Sequence, residues 1–189
     1  MQRRDFLKSG LAATGAVGFS ALGKAHADHH DSEHEHYELR HWHIPTAEKK
    51  AVVDRFLKNA VIPATKRINL GPIGVFHSAD HPKNNKDEQY DIWALTPFNN
   101  PQEFFSRDER LVDDAFIENA SEYLNSQKTD PAYTRITSSF MRAFDGKPKL
   151  EIPIKGKRIF ELREYQSHNE IKALLKVQMF NEGEIAIFN

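Results

Sequence analysis

A six-residue pattern occurs twice in this chain, 123 positions apart. Tyr37-Glu38-Leu39-Arg40-His41-Trp42 and Phe160-Glu161-Leu162-Arg163-Glu164-Tyr165 both read aromatic-Glu-Leu-Arg-x-aromatic. Each is followed by a short polar turn and then a helix-forming stretch, from Ala47 in the first copy and from Asn169 in the second. A repeated strand followed by the same repeated element points to duplication of one structural unit. One strand and one amphipathic helix bury too little apolar surface to stand alone. The second copy is therefore expected to pack on the first unit or across a dimer interface.

Between the copies the chain reads as mixed α and β. Tyr37, Leu39, His41 and His43 alternate with Glu38, Arg40 and Trp42, the period of a strand. Pro45 ends it. Thr46 is in position to cap a helix from Ala47 to about Arg67, with Val52 or Val53, Phe56, Leu57, Ala60, Val61 and Ala64 on its apolar face and Pro63 near its end. Gly71-Pro72 predicts a turn, Ile73 to His77 a second strand, and residues 79–88 a charged loop. Tyr90, Ile92 and Ala94 alternate with Asp91, Trp93 and Leu95 in a third strand. Asn100-Pro101 opens a helix in the favoured way, anchored by Phe104 and Phe105. A longer helix is expected from about Leu111 to Ser126. A further helical segment is expected from Asp130-Pro131 through Ile136, Phe140, Met141 and Phe144. Leu150, Ile152 and Ile154 predict an edge strand or linker, because Pro153 interrupts them.

The first copy of the motif, the helix Ala47–Arg67, the segment Gly71-Pro72-Ile73-Gly74-Val75 and the strand Asp91-Ile92-Trp93-Ala94-Leu95 together resemble the NIPSNAP family. The resemblance covers roughly residues 36–189, and the second motif strengthens it. It implies an α+β, ferredoxin-like unit of the dimeric α/β-barrel type: an antiparallel sheet with helices on one face. It also implies a homodimer or an intramolecular pseudo-dimer. The family pattern leaves the biochemical role undefined, and small-ligand binding is one expectation. Dimeric α/β barrels also include cofactor-free monooxygenases and haem enzymes, and His41, His43, His77 and His168 are the residues to test under that reading. No cofactor is expected. The chain departs from the family pattern after the second motif. A whole second unit needs further strands and a helix, whereas this sequence runs to Asn189, so residues 158–189 are expected to be an incomplete strand–helix repeat beside a domain at 37–150.

The amino end reads as an export signal. Arg3 and Arg4, in Arg3-Arg4-Asp5-Phe6-Leu7-Lys8, precede an uncharged Ala- and Gly-rich stretch from Leu11 to Leu22, and Ala25-His26-Ala27 is a small-x-small cleavage site. This resembles a twin-arginine signal read by the twin-arginine translocase, cleaved after Ala27, with a periplasmic destination. The apolar stretch is about twelve residues, short of the roughly 20 a spanning helix needs, so no permanent membrane anchor is expected. Removal of residues 1–27 takes away Arg3, Arg4, Lys8, Lys24 and Asp5 and leaves a net charge of −4. A mildly acidic protein has no electrostatic reason to bind nucleic acid. The chain holds no cysteine, which excludes disulfides, thiolate nucleophiles and cysteine-based metal or iron–sulfur sites.

Several side chains are candidates for chemistry. Residues 28–36 form a polar tract with no apolar residue, expected to be a disordered arm. Its His29, His30, His34 and His36 are a candidate set for metal buffering, the other reading being a His-rich solubilising tail. His41 and His43 share one face of a strand. They either bind a ligand or metal with His77 in a barrel lumen or are half-buried polar residues at an interface. Arg40 shares a face with Glu38, and the pair either grips an acidic ligand or is a structural ion pair. Trp93, with Trp42, Tyr90 and Phe76, either lines a pocket or is core. No phosphate-binding glycine loop, Gly-x-Ser-x-Gly or His-Glu-x-x-His pattern is present.

Overall fold

The structure is a computed structural model, and it describes residues 34–79 and 88–187. The signal, most of the His-rich arm and most of the charged loop at 79–88 lie outside those residues.

Four strands form one sheet in the order β2-β3-β1-β4. They are β1 (His36–His43), β2 (Gly74–His77), β3 (Ile92–Phe98) and β4 (Arg135–Arg142). Every neighbouring pair is antiparallel. The helices lie between them in the chain: α1 (Ala47–Phe56) runs through a π-helical turn (Leu57–Val61) into α2 (Ile62–Arg67), and α3 (Pro101–Leu111), α4 (Asp114–Asn119) and α5 (Ser121–Leu124) follow β3. This βαββαβ order with β1 and β3 in the centre is the ferredoxin-like arrangement, so the α+β expectation holds.

Strand parity decides which residues meet the helices. Trp42 lies opposite Ile92, Arg40 opposite Ala94, Glu38 opposite Thr96 and His36 opposite Phe98. These even positions share one face. Val53 and Phe56 of α1, Leu57 and Ala60 of the π turn, Ala64 of α2, Leu111 of α3 and Phe116 of α4 cover that face and join Trp42, Ile92 and Ala94 in a single core. Trp42 satisfies its indole by donating from Nε1 to Tyr123 Oη at 3.2 Å, and Tyr123 in turn stacks on Phe56 at 3.9 Å. Outside the core, Arg55 forks onto Glu122 and Arg67 onto Asp113, tying α1 to α5 and α2 to the cap of α4. Asn69 (φ 56°) ends α2 in the left-handed region where Asn is tolerated, and Gly71 follows at φ 120°, which a side chain would strain.

The buried face also carries charge. Glu38 is 2 % exposed. Its carboxylate accepts from Arg40 Nε (3.0 Å), from Ser138 Oγ (2.7 Å) and from Arg107 Nη1 of α3. Arg107 also donates from Nε to Asp108 at 2.9 Å and lies over the Phe104 ring. A buried carboxylate needs such partners to be tolerated at all.

Four sequence expectations need correction. The segment from Asp130 through Phe144 is not helical. Ile136 and Phe140 are spaced for a helix turn, but residues 135–142 pair along the whole length of β1. An unpaired β1 edge would leave a row of backbone donors and acceptors exposed, and pairing overrides the ambiguous pattern. The helix expected from Leu111 to Ser126 is broken: Val112 is extended (φ −82°, ψ 96°) and Asp113 caps a new start by accepting from Phe116 N. Phe105 does not anchor α3, being 76 % exposed, while Phe104 packs on Phe98 and Phe140. The arm boundary also moves. His36 already belongs to β1, and Glu35 is fixed by backbone bonds to Pro148 and Ala143.

The second copy keeps its helix and leaves its strand unpaired. Asn169 accepts from Lys172 N as Thr46 accepts from Lys49 N, each three residues along. Helix α6 (Glu170–Met179) passes through a π turn (Phe180–Glu184) into α7 (Ile185–Ile187). Shifted by the 123-residue offset of the two motifs, every boundary of α1 and its π turn falls on a boundary of α6 and its own. Residues 160–165 belong to no strand, yet Arg163 bonds Glu161 at 2.8 Å as Arg40 bonds Glu38. Side chains two apart share a side in an extended chain. The unit touches the first through Phe76 and Phe160, Phe144 and Phe180, and a bond from Asn181 Nδ2 to Asp145 Oδ2 at 3.1 Å. Most of its apolar side, including Leu162, Ile171 and Leu174, stays exposed.

Candidate functional site

The odd positions of the sheet point away from the helices. On β1 these are Tyr37, Leu39, His41 and His43; on β3, Trp93 and Leu95; on β2, Phe76; on β4, Thr137 and Met141. No helix of the domain covers this face among the described residues. Tyr37, Leu39, Trp93, Leu95 and Phe76 are all half-buried.

At one end of that face three chemically active side chains converge. Asp91, the residue before β3, has its carboxylate almost wholly buried. Its Oδ2 lies 2.7 Å from His41 Nε2 and 3.3 Å from His43 Nδ1. Its Oδ1 accepts from the backbone N–H of Ile44 at 2.8 Å, which fixes the carboxylate plane. The far nitrogen of His43, Nε2, is 3.3 Å from Thr137 Oγ1 of β4. Trp93 stacks on His41 with ring centroids 4.3 Å apart and 17° between planes. The two imidazoles are 3.9 Å apart, tilted by 48°.

The electrostatics follow from the packing. Burial lowers the pKa of His41 below its ordinary value, the nearby His43 adds to this, and the bond to Asp91 opposes it. The net direction is down, which favours a neutral imidazole at pH 7. A neutral imidazole beside a fixed carboxylate can accept a proton, donate a hydrogen bond or ligate a cation. Trp93 supplies a flat apolar wall next to it.

Of the expected pocket residues, His41, His43 and Trp93 come together here. Arg40 and His77 do not. Arg40 faces the helices and serves Glu38, which makes that Glu–Arg pair a structural link. His77 lies on the same helical side, where its Nε2 meets Asp54 Oδ1 of α1 at 2.7 Å. His77 is one residue out of phase with Phe76, so it pairs with Ile92 and points to the helical side. Of the arm histidines, His34 Nε2 pairs with Asp145 at 2.9 Å and His36 stacks on Phe140 at 5.5 Å, so the two do not converge. His29 and His30 lie outside the described residues. His168 sits beside the Asn169 cap, far along the chain from the cluster. Sequence reasoning passed over Asp91 and Thr137. Asp91 was legible, since it alternates in phase with Trp93. Thr137 was hidden by the helical reading of its segment.

The sheet order, the single helical layer and the polar cluster on the free face define a ferredoxin-like α+β protein. No family model matches the chain, and no curated protein matches it. Solved structures similar to it include a NIPSNAP-like domain protein from Burkholderia xenovorans, 12 % identical, covering 63 % of this chain and 93 % of that one at a TM-score of 0.47. Another is a NIPSNAP family protein from Agrobacterium tumefaciens, 16 % identical, covering 59 % of this chain and 89 % of that one at a TM-score of 0.42. A third is SnoaB, a cofactor-independent oxygenase from Streptomyces nogalater, 13 % identical, covering 61 % and 98 % at a TM-score of 0.39. The fold assignment rests on the strand order and register of this chain, not on those scores.

Proposed function

We propose that this chain is an exported protein of the NIPSNAP type that pairs with a second copy of itself through the free face of the sheet. The paired sheets then enclose a small-ligand site built on His41, His43, Asp91 and Trp93. The observation that carries this reading is the character of the free face. An antiparallel sheet with one solvated face carries polar residues there. This one presents Tyr37, Leu39, Phe76, Trp93, Leu95 and Met141. A sheet layered with helices on one side and apolar on the other needs a second layer. A second copy fits, because a two-fold axis brings an apolar face onto itself without opposing like charges: among the strand positions of that face Arg135, at the end of β4, is the one charged side chain. Closure of this kind would leave the His–Asp–Trp cluster inside, where water is scarce and its polar groups select the ligand. The paired arginines and the Ala25-His26-Ala27 site support export.

The test is the solution mass of the chain by light scattering, alone and as Leu95→Lys. Pairing through the sheet gives twice the chain mass for the parent and a single chain mass for the variant. A parent that is monomeric at tens of micromolar, or a dimer indifferent to Leu95→Lys, overturns the pairing. Export is read separately, as loss of the periplasmic product in Arg3→Lys, Arg4→Lys.

A further inference from the structure

We propose that His41, His43 and Asp91 form a binding site for one divalent transition-metal ion, ligated by His41 Nε2, His43 Nδ1 and Asp91 Oδ2. These donor atoms all lie within 4.8 Å of one another. Metal–nitrogen and metal–oxygen bonds of about 2.0–2.2 Å place neighbouring donors roughly 3.0–3.6 Å apart. The separation of 3.3 Å between His43 Nδ1 and Asp91 Oδ2 already meets that spacing. The 2.7 Å between His41 Nε2 and Asp91 Oδ2 is a hydrogen bond that a metal would replace, with a small rotation of the His41 ring to open it.

The surroundings are those of a ligand set. Ligating histidines and carboxylates are held by outer hydrogen bonds that set tautomer and orientation. Asp91 Oδ1 is held by Ile44 N–H, leaving Oδ2 as the donor toward both imidazoles. His43 has Thr137 Oγ1 3.3 Å from its Nε2, a partner that can take the Nε2 proton in the tautomer whose Nδ1 lone pair ligates an ion. Trp93 braces the His41 ring from one side. These outer contacts come from the residue after β1, from β3 and from β4, and would hold the donors before any ion arrives.

The donor chemistry selects the class of ion. Two imidazoles and a carboxylate suit Zn²⁺, Co²⁺, Ni²⁺ or Fe²⁺, whereas Mg²⁺ and Ca²⁺ favour all-oxygen sets. Three protein ligands leave at least one position open, on the side where His43 is partly exposed, so a small molecule can reach the ion. The site lies within one chain and does not depend on pairing. It differs from the arm, whose His34 and His36 are engaged elsewhere.

The test uses the full chain carrying His26→Ala, His29→Ala, His30→Ala and His34→Ala, so that the arm cannot contribute. Equilibrium dialysis against Zn²⁺ should give one ion per chain, and Co²⁺ should give a visible absorption band of low coordination number. His43→Gln should weaken Zn²⁺ binding at least tenfold and abolish the Co²⁺ band, Asp91→Asn should do the same, and Thr137→Val should weaken it several-fold. His77→Ala should change nothing. His43 is on the free face and partly exposed, so His43→Gln tests the site even if the buried Asp91→Asn variant fails to fold. Absence of bound Zn²⁺ in the arm-substituted chain, or binding unchanged by His43→Gln, overturns the proposal whatever the oligomeric state.

Discussion

Arg107→Met removes the α3 partner of a carboxylate that the fold has buried on the face opposite the site. Glu38 is 2 % exposed and the Arg107 side chain is 8 % exposed. Breaking one side of a buried pair costs about 3–5 kcal/mol, because the remaining charge is left without compensation. Here Glu38 keeps Arg40 at 2.8 Å and Ser138 at 2.7 Å, so the loss belongs at the low end, about 3 kcal/mol. At roughly 4 °C per kcal/mol for a domain of this size, Tm falls by about 12 °C. Urea unfolding followed by far-ultraviolet circular dichroism gives the free energy, and a thermal scan gives Tm. The double variant Glu38→Leu, Arg107→Leu should recover most of the loss, since apolar replacement of both partners is close to neutral. A loss under about 1 kcal/mol for Arg107→Met, or a double variant worse than the single one, refutes the claim that this pair pins α3 to β1. The repeated motif supplies an internal control. Glu161 and Arg163 make the same pair with no burial, and Glu161→Gln should leave the unfolding midpoint unchanged.

Three further outcomes follow from the same packing. Burial raises the Tyr123 pKa to about 12 from 10, so the folded state is fully favoured below pH 10 and loses stability as pH rises from 10 to 12. The swing is about 2 kcal/mol, and a Tm series from pH 8 to 12 should show it flattened in Tyr123→Phe, with an overall drop because Trp42 Nε1 loses its acceptor. Thr46→Ala removes the side-chain cap of α1 and should lower stability by about 1 kcal/mol in urea unfolding, while Asn169→Ala should lower helix content with little change in the main transition. A methyl at Gly74 would meet the Phe76 ring at 2.8 Å, so Gly74→Ala should turn that ring and reduce any self-association through the free face, read by light scattering.

Local patterning was enough for much of this molecule. Alternation in β1 and β3, the Thr46 and Asn100 caps, the apolar stripe Val53–Phe56–Leu57–Ala60–Ala64 and the 123-residue repeat are all written in short-range spacing, because caps and periodicity depend on residues a few positions apart. His41, His43 and Trp93 could be named from the same alternation. Only the tertiary structure decided the rest. Residues 135–142 carry both helical and strand spacing, and the empty edge of β1 chose the strand. Parity against β3 placed Glu38, Arg40 and Trp42 under the helices and sent His41 and His43 to the free face, a choice that neither half of the alternation expresses alone. His77 was paired with Asp54 and removed from the site, while Asp91 and Thr137 were brought in from 48 and 94 positions beyond His43. Such partners are set by strand order and register, which are properties of the whole sheet and leave no mark in any single segment.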